Sequence, residues 1–147
     1  MLKQNEIDNL LNMLKMLETK GMFIFPSVGE SSKVDITSLD GKDKFVVDIN
    51  RKGKIKLSKC TFQERYTKDV ILLRIDIDGP PHTNPDGKVI RSNHIHICKE
   101  GFDVRWAYPL TGQITDAKDL IKALIEFLEY CKVQNTSEIS IQEGMFQ

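Results

Sequence analysis

The chain predicts an α+β domain: an antiparallel meander of about five strands, with an N-terminal and a C-terminal helix packed on one face. Three observations carry this expectation. Apolar residues recur at helical spacing near both ends, at Ile7, Leu10, Leu11, Leu14 and Leu17 and again at Leu120, Leu124, Phe127, Leu128 and Cys131. Between them the period changes to two, the alternation of a half-buried strand. The length of 147 residues, 40% hydrophobic and 29% charged, suits one ordinary core, so residues 1–147 read as a single domain.

The elements follow in order. The first helix reaches to Gly21, which is placed to end it, and Met13 and Met16 widen its apolar face. A short apolar piece, Met22 to Phe25, stops at Pro26, and Gly29 to Ser32 reads as a loop. Phe45, Val47 and Ile49 alternate with Val46, Asp48 and Asn50. A turn through Arg51-Lys52-Gly53 leads to Ile55 and Leu57, which completes a hairpin. A third strand spans Asp69 to Ile77 and ends at Asp78-Gly79-Pro80-Pro81. The turn-rich loop His82-Thr83-Asn84-Pro85-Asp86-Gly87 precedes a fourth strand at Asn93 to Cys98. Glu100-Gly101 turns the chain into a fifth strand carrying Phe102, Val104, Trp106 and Tyr108. Thr115 or Asp116 caps the second helix, and Ile139 and Ile141 mark a short terminal strand.

Two apolar helices need a surface to cover, and one face of the sheet supplies it. The other face is then open to solvent, and the alternating polar residues collect there. Those sets are Lys54 and Lys56, Arg74 and Asp76, His94 and His96, and Asp103 and Arg105. Meander pairing places the two strand histidines between Arg74/Asp76 and Asp103/Arg105, with His82 on the adjoining loop. All three histidines of the chain therefore fall between Arg74 and Tyr108.

This patch suits a phosphate-bearing ligand, most naturally RNA, or equally a salt-bridged exposed face. Net charge is zero, so the whole molecule offers no electrostatic argument for nucleic acid. From Arg51 to Lys68, however, seven Lys or Arg stand against one acid, Glu64, a local charge of +6. A metal-independent ribonuclease, with no cofactor, would use His94, His96 or His82 as acid and base and Arg74 or Arg105 for the phosphorane charge. Lys54, Lys56, Asp76, Asn84 and Arg105 would bind substrate. Alternatively His94 and His96, at i and i+2, chelate zinc, with His82 or Asp76 as third ligand, in a metal-dependent hydrolase. The spacing from Gly87 to Glu100 touches the cupin metal motif, but that motif's later half is missing.

The N-terminus lacks the apolar core of a signal peptide, and no apolar run approaches membrane-spanning length. Cys60, Cys98 and Cys131 are odd in number and widely spaced, which points to the reducing cytosol and away from a disulfide scaffold.

The run Arg74-Ile75-Asp76, Gly79 to Gly87, His94-Ile95-His96, Glu100-Gly101-Phe102 and Trp106 to Leu110 resembles an uncharacterised family of small bacterial and phage proteins, a domain of unknown function. The resemblance covers about a third of the chain and departs from the pattern at Cys98, where an aromatic is usual. It lends no activity. It implies that the block is one functional unit, and its phage or mobile-element setting implies an alternative role as a non-catalytic protein-binding inhibitor of a host defence system.

Overall fold

The computed structural model describes residues 2–53 and 57–144. Helix α1 covers Gln4–Asn12 and helix α2 Leu120–Tyr130. The strands are β1 (Lys15–Leu17), β2 (Gly21–Phe25), β3 (Ser31–Ser38), β4 (Lys44–Asn50), β5 (Cys60–Tyr66), β6 (Val70–Ile77), β7 (His82–Thr83), β8 (Val89–Ile90), β9 (His94–Ile97), β10 (Ala107–Pro109) and β11 (Ile139–Glu143). Seven of these build an antiparallel sheet in the order β1-β3-β4-β5-β6-β9-β10. β2 and β11 pair in parallel, and β7 and β8 form a small hairpin.

The α+β class and the consecutive antiparallel pairing stand, but the expected five strands become seven in the main sheet. The differences have local causes. The first helix stops at Asn12, because Met13 takes an extended conformation. Lys15 and Leu17 then bury their side chains with strand periodicity, while Leu14, expected on the helix's apolar face, is half exposed. Gly21, with φ of +78°, opens β2 rather than closing a helix. Ser31 and Ser32, expected in a loop, begin β3, whose inward residues Val34 and Ile36 are fully buried.

β4 pairs with β3 on one side and with β5 at Cys60–Tyr66 on the other. Leu57 is exposed, and residues 54–56 lie outside the described part of the chain. The expected fifth strand shrinks to Ala107–Pro109. Ahead of it the chain turns, with Asp103 at φ of +51° and a bridge between Lys99 and Asp103. Asp119, rather than Thr115 or Asp116, caps α2, accepting a bond from the Lys122 amide at 3.1 Å. The terminal strand is present as β11.

One core joins these parts. Phe62, Ile75 and Ile95 from the sheet meet Leu10 of α1 and Leu124, Phe127 and Leu128 of α2. The Phe62 and Phe127 rings lie 5.8 Å apart. Within this core sit two fully buried charged residues, Lys15 and Glu64, with Lys15 Nζ 3.3 Å from Glu64 Oε2. The ammonium also donates to Leu10 O at 2.8 Å and Cys131 O at 3.0 Å. It thereby satisfies a carbonyl at the C-terminal end of each helix, where cations are favoured. Among the described residues no helix is long and apolar enough to cross a membrane.

Candidate functional site

On the opposite face, alternation along β6 and β9 turns Arg74, Asp76, His94 and His96 to the same side. The register pairs Arg74 with His96 and Asp76 with His94. Asp76 is the centre of the resulting cluster. Its Oδ2 lies 3.2 Å from His94 Nε2 and 3.1 Å from His96 Nε2. Arg74 donates through Nε and Nη2 to both carboxylate oxygens, at 2.9 and 3.2 Å, and Thr61 Oγ1 donates to Oδ1 at 3.2 Å. Burial by itself would raise the Asp76 carboxyl. A proton on His96 Nε2, when that ring carries one, and the Arg74 guanidinium outweigh it and hold the group well below the usual carboxylate range.

The other ring nitrogens are also held. His94 Nδ1 lies 2.9 Å from Ser92 O, and His96 Nδ1 lies 2.7 Å from Val104 O. A carbonyl can only accept, so Nδ1 is the donor on both rings. The rings are nearly sealed, with His94 2% and His96 5% exposed beside Asp76 at 7%. Among the described residues, Asp76, His94 and His96 bring three possible metal-ligand atoms within 4.8 Å of one another.

His82 comes to this cluster from the β7–β8 hairpin. Its ring centroid is 4.6 Å from that of His96 and 5.9 Å from that of His94, and its Nε2 donates to Arg105 O at 2.7 Å. The expected gathering of all three histidines with Arg74 and Asp76 is thus present. Asn84 has a different part. Its Nδ2 donates to Ala107 O at 2.9 Å and its Oδ1 accepts from Ala107 N at 2.8 Å. The amide stands in for a strand partner of β10, and both of its ends are taken. Asp103 and Arg105 leave the sheet face, since no strand runs through them. The Arg105 guanidinium closes its own turn on Phe102 O and Gly101 O, at 3.0 and 2.8 Å. Lys54 and Lys56 lie outside the described residues.

Next to the cluster the open face holds a polar trough of about 360 Å³, lined by Ser31, Asp48, Asn50, Lys52, Lys59, Thr61, Gln63 and Arg74 among others. Asp48 is engaged bidentately by Arg65, at 2.6 and 2.9 Å. Lys52 and Lys59 have no carboxylate partner among the described residues, so the trough floor is net cationic. Thr61 and Gln63 also line this trough, although the sequence expectation does not include them. Their signal was present as alternation across Cys60–Tyr66, but Glu64 on the inward side masks it. The three thiols are free and buried, and burial pushes Cys60 up to about 12.

Fold and cluster together define an α+β domain with one sheet face covered by the helices and an opposite polar face on which, contrary to the expected open setting, the His–Asp–His constellation is nearly sealed. The chain belongs to a family of unknown function, DUF6978, which matches residues 2–133. No curated protein and no solved structure matches it.

Proposed function

We propose that this domain binds a phosphate-bearing ligand, RNA foremost, in the trough on its open sheet face, with the Asp76–His94–His96 cluster at the trough's edge. The observation that carries the reading is the trough's chemistry. Lys52 and Lys59, without carboxylate partners among the described residues, and the half-exposed Arg74 flank neutral hydrogen-bonding groups from Ser31, Asn50, Thr61 and Gln63. Cations meet phosphate oxygens, while amides and hydroxyls suit 2′-hydroxyls and base edges. Among the described residues the lining has no aromatic side chain on which a base could stack, so the grip is on the backbone and sequence preference is weak.

The geometry gives less support to metal-free cleavage through His94 and His96. A general base must reach the 2′-hydroxyl, and both nitrogens of each ring already face partners in a nearly sealed setting. His82 is the more accessible ring of the three. Hydrolysis, if this face performs it, draws better on the cluster as a unit with a bound cation.

The test is anisotropy of a labelled single-stranded RNA titrated with wild-type protein and with a Lys52→Ala/Lys59→Ala variant at several salt concentrations. We expect binding that weakens with salt, and a log–log slope shallower by about 1.4 in the variant, from two lost phosphate contacts at ~0.7 each. Equal slopes would remove the trough from the interface. Absence of binding at low salt would sink the RNA reading and turn the search to a protein partner, such as a component of a host defence system.

A further inference from the structure

We infer that Asp76, His94 and His96 bind one divalent transition-metal ion, zinc foremost, through Asp76 Oδ2 and the two Nε2 atoms. The inference does not depend on RNA binding, and either can fail alone.

The argument begins with hydrogen-bond accounting. Ser92 O and Val104 O oblige both Nδ1 atoms to donate. Each neutral ring then directs an Nε2 lone pair at Asp76 Oδ2, so three electron-rich atoms converge, the two nitrogens 3.2 and 3.1 Å from the carboxylate oxygen. Protons resolve this badly. One proton relieves one ring and leaves the other lone pair facing the carboxylate. Two protons make two imidazolium ions that, with Arg74, put three cationic groups on one carboxylate in a site 2–7% exposed. Uncompensated buried charge of that kind is strongly unfavourable. One divalent ion satisfies all three atoms together.

The rest of the site has the features of a metal centre. Two imidazoles and a carboxylate suit zinc and its first-row neighbours. Bonds of about 2.0–2.1 Å in a tetrahedron set ligand atoms roughly 3.3–3.4 Å apart, close to the observed carboxylate–imidazole spacings. Each ligating ring donates its second nitrogen to a backbone carbonyl, and the carboxylate is itself held by Arg74 and Thr61. Such outer partners fix ring tautomer and orientation around a metal. With the ligands they tie together five segments: β5, β6, β9, the Ser92 turn and the loop at Val104. Three protein ligands leave a further position, and the His82 ring is the group stationed beside the cluster.

Untagged protein, stripped with chelator and dialysed, is titrated with cobalt(II) and followed by visible absorption, then challenged with zinc. We expect one cobalt per chain with the absorption of a low-coordinate site, displaced by zinc. Zinc held at about 100 times Kd should raise Tm by roughly 5–10 °C. His96→Ala and Asp76→Asn should weaken binding on the order of 100-fold or more, while Cys98→Ser leaves it unchanged and so excludes a thiolate. Should the ligand variants not fold, long-range proton–nitrogen correlation spectra of the wild type decide: zinc should move two Nε2 resonances and leave the Nδ1 protons in place. Absence of saturable binding, binding undiminished in the folded variants, or Nε2 resonances indifferent to zinc would each overturn the assignment.

Discussion

At the scale of single residues, the most consequential side chain outside the site is Lys15. It is fully buried, pairs with an equally buried Glu64, and holds one carbonyl from each helix end. Removing one partner strands the other charge, so Lys15→Met should cost about 3–5 kcal/mol in urea denaturation. Lys15→Met/Glu64→Leu should recover most of that loss, because a paired replacement leaves no charge behind. Additive losses would mean that the carbonyl contacts, rather than the ion pair, hold the structure. Glu64 also gives the protein a pH signature. Burial pushes its carboxyl up to about 7, against the pull of Lys15, from an ordinary value of 4.5. The folded state therefore holds the proton more tightly than the unfolded state. Its contribution is full below pH 4.5 and fades as pH rises to 7. The urea midpoint of the wild type should accordingly fall relative to Glu64→Gln across that window, and a rise would contradict the assignment.

At the scale of elements, the β7–β8 hairpin places His82 over the strand histidines, and Asn84 attaches it to β10. Both Asn84 amide bonds to Ala107 are buried, and each group left unpaired costs about 1–3 kcal/mol. Asn84→Ala should therefore destabilise the fold by roughly 2–4 kcal/mol. It should also speed amide exchange in the hairpin and at Ala107 more than in β4 or β5, because the hairpin would lose its anchor. Uniform acceleration would show that the hairpin is no separate unit. The same logic explains why α1 ends early. Lys15 reaches the Leu10 carbonyl near the C-terminal end of α1 only from an extended segment that has turned back, and β1 provides it.

At the scale of the whole molecule, charge is arranged rather than accumulated. The chain is neutral overall, and its acids on the open face are spoken for: Asp48 by Arg65, Asp76 by Arg74 and the histidines. What remains for a ligand is the Lys52–Lys59 side of the trough. With no net charge to steer encounter from a distance, association should be local and easily screened. RNA affinity should accordingly fall roughly 10- to 20-fold between about 50 and 200 mM salt, for two or three phosphate contacts at ~0.7 each. Affinity that holds at high salt would point to contacts other than phosphate.

How much of this was legible beforehand varies with the physics involved. Periodicity marked β4, β6, β9, α2 and the terminal strand, because those segments bury one side and hydration sorts their residues. The cluster was legible for the same reason: alternation put His94 with His96 and Arg74 with Asp76, and consecutive strands do pair. Where a local rule met a tertiary demand, the tertiary demand prevailed. Lys15 sits inside a helical apolar pattern, yet it is drawn into the core by two helix ends and a carboxylate from β5. Glu64 made β5 look unlike a strand for the complementary reason. Asp103 and Arg105 alternate as a strand would, but the turn at Asp103 and the bonds of Arg105 to its own loop take them off the sheet. Sequence by itself thus determined which residues could share a face, since that follows from backbone geometry. Tertiary structure alone decided which ring nitrogens face Asp76 and which face carbonyls, because hydrogen-bond direction depends on atoms far apart along the chain.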